Sequence, residues 1–114
     1  MTSEKNLVIP DEVVMNKIHL IRDHKIMLHR DLAELYGVKA IRLREQVKRN
    51  QERFPENFMF QLTESEIALM VSQNAIPSKQ HLDGHLPNAF TEHGVLMLAN
   101  VLKSDIYVLP KFNE

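Results

Sequence analysis

Alternating and helical hydrophobic patterns divide the chain into short elements, the first of which is a predicted β-hairpin. Residues 18–22 and 25–28 are two runs rich in β-prone side chains. They are separated by Asp23 and His24, which is the spacing of a tight hairpin turn, although this turn lacks the favoured glycine. Residues 1–16 have no strong period, so we expect a frayed or partly helical lead-in.

Two helices joined by a turn are predicted next. From Asp31 the apolar residues recur at helical spacing until Gly37, and glycine ends many helices in the left-handed conformation. A second helical pattern runs from Lys39 to Phe54, where Pro55 prevents its continuation. The arrangement predicts a short helix, a turn and a longer helix.

The second half of the chain begins with a predicted strand at 58–62. Thr63, with Glu66 three residues later, forms a capping box, which predicts a helix from there to about residue 74. Residues 75–88 contain prolines and a glycine among polar groups and are expected to form one long loop.

A final strand and helix are expected before the chain ends. Residues 89–90 predict a short strand or bridge, and Thr91 is a plausible cap for a core helix that reaches about residue 103. The apolar stripe of that helix is interpreted as core, with part of a dimer surface as the alternative.

Together these elements predict a small α+β domain with an N-terminal β-hairpin, a helix-turn-helix, short extra strands and two supporting helices. The 114 residues, 44% apolar and 25% charged, fit a single domain. We place that domain at residues 17–104, between the lead-in at 1–16 and a tail at 105–114.

The composition narrows the chemistry that this chain can perform. Without cysteine, it cannot form disulfides, thiol nucleophiles or cysteine-ligated zinc sites, which is consistent with a reducing compartment. The sequence contains no apolar stretch long enough for a secretory signal or a membrane span. We therefore expect a cytoplasmic protein that does not associate with membranes.

Charge is distributed unevenly along the chain, although the formal net charge is only −1. Residues 17–53 contain ten lysines or arginines and five acidic residues, a local charge of +5. Residues 54–114 contain three lysines or arginines and seven acidic residues, a local charge of −4. A one-sided binder of a polyanion would show this segregation, which also arises by chance.

The predicted helix pair has the small and apolar residues that a helix-turn-helix requires. Ala33 is the small residue in the first helix, Gly37 follows in the turn, and Leu43 provides an apolar anchor in the second helix. At about 100° per residue, Leu43 and Val47 share a buried stripe with Ala40 and Phe54.

The opposite stripe of the second helix is basic and polar. Arginine, glutamine and asparagine can bond guanine and adenine edges, and an α-helix fits the major groove, so we expect Arg42, Gln46, Arg49 and Asn50 to read bases. Arg44 and Lys48 are better placed for phosphates, and Glu45 lies on the remaining flank. The complete predicted DNA-binding set is Lys39, Arg42, Arg44, Gln46, Lys48, Arg49, Asn50 and Arg53.

Several ordered motifs resemble those of a known family. They are MLHRDLAELYGV at 27–38, LREQVKRN at 43–50, RFPENFMFQL at 53–62 and AFTEHGV at 89–95. Over about residues 17–104, they resemble the KilA-N-like "ORF six" amino-terminal domain of phage and bacterial proteins.

This resemblance implies a DNA-binding module of phage or prophage regulatory proteins, often joined to a variable second domain and sometimes associated with antirepressors. It also implies that the basic positions within 39–53 are the DNA contacts. The family pattern continues with another amphipathic helix, whereas 106–114 is short and contains a proline, so this tail has either diverged or been shortened.

The sequence gives weaker support for catalysis or metal binding than for DNA binding. His29-Arg30-Asp31 matches the kinase catalytic tripeptide, but the required asparagine five residues later is Tyr36. His81 and His85, with Asp83 between them, fall in the long loop without a fourth suitable ligand nearby. We expect no catalytic residue, metal or cofactor.

Double-stranded DNA is the predicted partner, and a homodimer is plausible because two-fold sites increase affinity. Three alternatives remain open at this stage: a solvated helix without a partner, an antirepressor-like module that binds an acidic protein surface, and a DNA enzyme. A protein partner held through a missing or variable C-terminal region is also compatible with the family resemblance.

Overall fold

The computed structural model describes residues 15–73, 75–76 and 86–103, which form an α+β domain around a four-stranded antiparallel sheet. Its strands are β1 (Ile18–Ile21), β2 (His24–Leu28), β3 (Met59–Gln61) and β4 (Asn88–Phe90). They lie in the order β1-β2-β4-β3. The predicted fold class, with its N-terminal hairpin, is confirmed.

Four helices accompany the sheet among the elements of residues 18–103 that the structure describes. They are α1 (His29–Tyr36), α2 (Ala40–Arg49), α3 (Glu64–Ser72) and α4 (Glu92–Leu102). A separate 3₁₀ turn, Gln51–Arg53, follows α2.

The sheet separates two hydrophobic cores because side chains alternate between its faces. Met27 on β2 packs in the first core with residues of α1, α2 and α4, including Leu32, Leu43 and Leu98. Ile26 and Leu28, its neighbours on β2, belong instead to the second core with residues of α3. Helix α2 is therefore on the opposite side of the sheet from α3.

Local signals in the sequence predicted three helix ends correctly. Gly37 follows α1 with φ 70°, in the left-handed region, and its N–H donates to carbonyls of the last turn. Thr63 and Glu66 form the expected capping box before α3. The Thr91 hydroxyl accepts a hydrogen bond from the N–H of Gly94 at the start of α4.

The hairpin turn is one residue earlier than predicted. Arg22 and Asp23 form it, with φ values of 53° and 64°, whereas His24 pairs with Ile21 in the ladder. Two positive φ values are characteristic of a type I′ turn.

Contacts with distant residues help to hold Arg22 in this unusual conformation. Arg22 donates to both carboxylate oxygens of Glu66, at 2.8 and 3.0 Å, and its guanidinium lies 4.3 Å from the centre of the Phe60 ring. The hydrogen bond from Arg22 is the main cause of a lowered pKa for Glu66.

The two helices of the first half also differ from their predicted boundaries. Helix α1 begins at His29, directly after β2, rather than at Asp31. Helix α2 ends at Arg49 rather than at Phe54, because the backbone of Asn50 leaves helical geometry and its side chain donates to the carbonyl of Gln46 at 2.8 Å. Arg53 therefore lies on the 3₁₀ turn and not on the helix.

Phe54 is buried as predicted, although it no longer belongs to a helical stripe. Its ring packs edge-to-face on Phe90, with the two ring centres 5.9 Å apart. Most of the predicted loop, including His81 and His85, and the tail from residue 104 lie outside the described residues.

The hydroxyl of Tyr36 is a buried polar group in the first core, and its effect on stability can be tested. It has no hydrogen-bond partner among the described residues. Because desolvating an unpaired hydroxyl destabilises a fold, we expect Tyr36→Phe to increase the free energy of unfolding by about 1 kcal/mol. Urea denaturation at pH 7 measures this change, and a variant that is clearly less stable would show that the hydroxyl has a partner.

The pH dependence of the same variant gives a second readout. Burial raises the pKa of Tyr36 to about 12, whereas an unfolded tyrosine titrates near pH 10. Between these values the unfolded chain releases the proton first, so wild-type stability falls as pH rises. The free energy of unfolding of Tyr36→Phe should therefore fall less than that of wild type as the pH rises from about 10 to about 12.

Candidate nucleic-acid interface

Helices α1 and α2 form a compact pair that presents one side of α2 to solvent. Ala33 and Leu43 are buried in the first core, as the sequence predicted. The turn between the helices is fixed by Gly37 and by a hydrogen bond from the Val38 N–H to the Ala33 carbonyl at 2.9 Å. Leu43 and Val47 are the buried residues of α2, and they orient the helix on the domain.

Five of the eight predicted DNA contacts are exposed cations. Among the described residues, no carboxylate lies within ion-pair distance of any of them. Their positive charge is thus available to an external anion. They are Lys39, Arg42, Lys48, Arg49 and Arg53.

The remaining three predicted contacts are only partly exposed, and two of them have partners. Nη1 of Arg44 lies 3.4 Å from Nε2 of the buried His29, and arginine can only donate, so Nε2 is the acceptor. Asn50 uses its amide nitrogen to bond the Gln46 carbonyl. Arg44 therefore links α2 to α1, and Asn50 closes the end of α2.

The outward direction of α2 differs from the one expected. The sequence placed Arg42, Gln46 and Arg49 at the centre of the exposed stripe, but Gln46 is half-buried. At about 100° per residue, Glu45 and Ile41 point most directly away from Leu43. Arg42 and Arg49 lie to one side of this direction and Lys48 to the other.

Ile41 was missed in the sequence-based site, although its side chain is 56% exposed on this face. The signal was available, since Ile41 is an apolar residue out of step with the buried pair Leu43 and Val47. An exposed isoleucine among cations is therefore a component of the surface that the basic residues alone did not predict.

A protein-family model described as the ORF6N domain matches residues 16–101, which is more than half of the chain. This chain belongs to the ORF6N domain family. Comparisons with curated proteins and with solved structures give no match. The matched region contains every helix and strand described above except Leu102, the last residue of α4.

In this ORF6N domain, the acidic side chains of α1 lie close to a lysine that offsets their negative charge. Nζ of Lys17 lies 3.1 Å from a carboxylate oxygen of Glu34 and 3.7 Å from one of Asp31. Desolvation by burial lowers the pKa of His19, although Asp31 opposes that shift. The excess charge of the helix pair is consequently concentrated on α2.

The Thr91-Glu92-His93 segment of the ORF6N domain has structural contacts. The Thr91 hydroxyl donates to the Asn57 carbonyl at 2.8 Å, and the His93 ring stacks on Phe58 with ring centres 5.6 Å apart. Within the described ranges, no group of three or more potential metal-binding side chains is present. No helix in the same ranges has the length and apolarity needed to cross a membrane.

Proposed function

We propose that this ORF6N domain binds double-stranded DNA through the exposed side of α2, with α1 and α2 acting as a helix-turn-helix. The carrying observation is the set of five exposed cations on α2 and the adjoining turn, none paired with a carboxylate in the part of the chain that the structure describes. Phosphates attract such a surface without regard to sequence, and this attraction supplies much of the affinity of DNA-binding proteins.

Different cations have different roles in this proposal. The N-terminal part of a recognition helix contacts base edges, so Arg42, at the third residue of α2, is the foremost base-reading candidate. Arg49 reads a second position. Lys39, Lys48 and Arg53 lie at the two ends of this surface and bind phosphates, whereas Arg44 retains its contact with His29.

The proposed biological setting follows from the KilA-N-like sequence motifs. We place the domain in cytoplasmic regulators of phage or prophage transcription, where it binds DNA without catalysing a reaction. A homodimer would position two copies of α2 on half-sites one helical turn apart. Intact plasmid after incubation with divalent metal ions is the result expected of a binding module, and cleavage would instead indicate a DNA enzyme.

Fluorescence anisotropy with a mixed-sequence duplex across a salt series tests DNA binding. We expect wild type to bind at micromolar concentrations or better. Because a mixed-sequence duplex offers no selected bases to Arg42 and Arg49, all five cations then neutralise phosphates, and the log–log salt slope should be about −4. Arg42→Ala/Arg49→Ala should bind at least about tenfold more weakly and lose about two units of slope.

A charge-matched double variant controls for the loss of two positive charges. Lys25 on β2 and Lys103 after α4 are exposed cations outside α2, and Asn tolerates the left-handed backbone found at Lys103, where φ is 54°. Lys25→Ala/Lys103→Asn should keep nearly the wild-type affinity. Equal losses in both double variants would contradict a localised site, and absence of wild-type binding at low salt would direct attention to an acidic protein partner.

A further inference from the structure

Ile41 is the most unusual side chain on the proposed DNA surface. A single exposed apolar residue is common on proteins and by itself indicates nothing. Ile41, however, is the second residue of α2, is 56% exposed, and is followed directly by the exposed Arg42. It also lies near the centre of the face that points away from the core, rather than at the margin of a hydrophobic cluster.

The chemistry of the major groove offers one apolar feature that matches such a side chain. Thymine presents a 5-methyl group there, next to hydrogen-bonding atoms, and apolar side chains contact it. The first turn of a recognition helix is the part that approaches base edges most closely. An isoleucine in that turn would bury its exposed carbons against a thymine methyl while Arg42 bonds a neighbouring base.

We infer that Ile41 is a specificity-determining residue that recognises the 5-methyl group of a thymine in the bound DNA. This inference rests on the proposed DNA-binding function and deepens it, because it assigns a base to a residue that carries no charge. Its contribution is separable from that of the cations, since loss of a methyl contact changes base preference and leaves the number of released counterions unchanged.

Replacement of single thymines by deoxyuridine tests this contact, because it removes one methyl group at a time. A duplex is selected by wild type from a random-sequence pool and resynthesised with each thymine replaced in turn by deoxyuridine, which lacks only the methyl group. Fluorescence anisotropy should show about fourfold weaker wild-type binding at one or two positions, as expected for one unburied methyl group. Ile41→Ala should bind the thymine and deoxyuridine forms equally there and keep the wild-type salt slope.

Leu69→Ala is the matched control, because Leu69 is 52% exposed on α3, on the other side of the sheet. It should discriminate between thymine and deoxyuridine as wild type does. Binding without any such discrimination in wild type, or unchanged discrimination in Ile41→Ala, would overturn the role of Ile41 and leave the DNA-binding proposal standing. Failure of wild type to bind any duplex would overturn both.

Discussion

Gly94→Ala is expected to lower the free energy of unfolding by about 3 to 5 kcal/mol. A Cβ atom at this position would lie 1.9 Å from the backbone carbonyl oxygen of Phe58 and 2.8 Å from its carbon. In a helix interior the same substitution ordinarily stabilises by about 1 kcal/mol, because alanine restricts the unfolded chain. Close contact with backbone therefore reverses the sign of the usual effect.

The Phe58 carbonyl cannot move away easily because the start of α4 is bonded to the same segment. The N–H of Thr91 donates to the Phe58 oxygen at 3.0 Å, and the Thr91 hydroxyl donates to the carbonyls of Asn57 and Phe58 at 2.8 and 3.2 Å. Relief of the clash would separate α4 from this turn and break these bonds. The loss should thus approach the total stability of a marginal small domain.

Thermal and urea denaturation of Gly94→Ala measure the effect, with Gly37→Ala as the control. Gly37 has φ 70°, but an added Cβ there would meet nothing within 4 Å, so only the left-handed backbone is penalised. That penalty is about 1 to 2 kcal/mol. If the two variants lose similar amounts of unfolding free energy, the backbone at Phe58 moves away from the added Cβ more easily than its hydrogen bonds indicate.

Elements with signals confined to a few neighbouring residues were predictable. The capping box of Thr63 and Glu66, the glycine stop at Gly37 and the cap at Thr91 all depend on contacts within one helical turn. Such contacts form wherever the local sequence allows them. These elements consequently appear in the structure close to where the sequence places them.

Elements that depend on distant residues were not predictable in the same way. The hairpin turn is at Arg22 and Asp23, where the left-handed Arg22 bonds Glu66, 44 positions along the chain. No local pattern shows that this pair forms. Similarly, α2 could continue toward Phe54 by period alone, but Phe54 instead packs on the distant Phe90 from outside the helix.

The sequence-based outward direction of α2 followed its basic residues and not the buried residues that fix the helix on the domain. At about 100° per residue, Phe54 shares the direction midway between Leu43 and Val47, so counting it as buried leaves the outward direction of α2 unchanged. Gln46 lies roughly 100° from that direction and Ile41 about 40° from it. With Leu43 and Val47 as the buried residues, Gln46 is half-buried and Ile41 is exposed. The basic residues can be recognised from their charge alone, whereas the centre of the exposed face depends on which residues of α2 are buried.

Leu43→Ala is expected to lower the free energy of unfolding by about 2 to 5 kcal/mol, the range for removing a buried leucine side chain. Leu43 is fully buried in the first core, which also contains residues of α1 and α4. The cavity would lie beneath the proposed DNA surface. Urea denaturation measures the loss of stability, and anisotropy on the fully folded variant at low temperature measures DNA affinity.

Leu43→Met is the volume-matched control and should cost less than about 1.5 kcal/mol. Because Leu43 and Val47 are the buried residues that hold α2, a cavity at Leu43 loosens the helix without removing any charge from it. Ile67→Ala makes a comparable cavity in the second core, on the far side of the sheet. If the folded Leu43→Ala binds DNA more weakly than the folded Ile67→Ala, the first core positions the cations of α2; equal affinities would mean that the charges act independently of that packing.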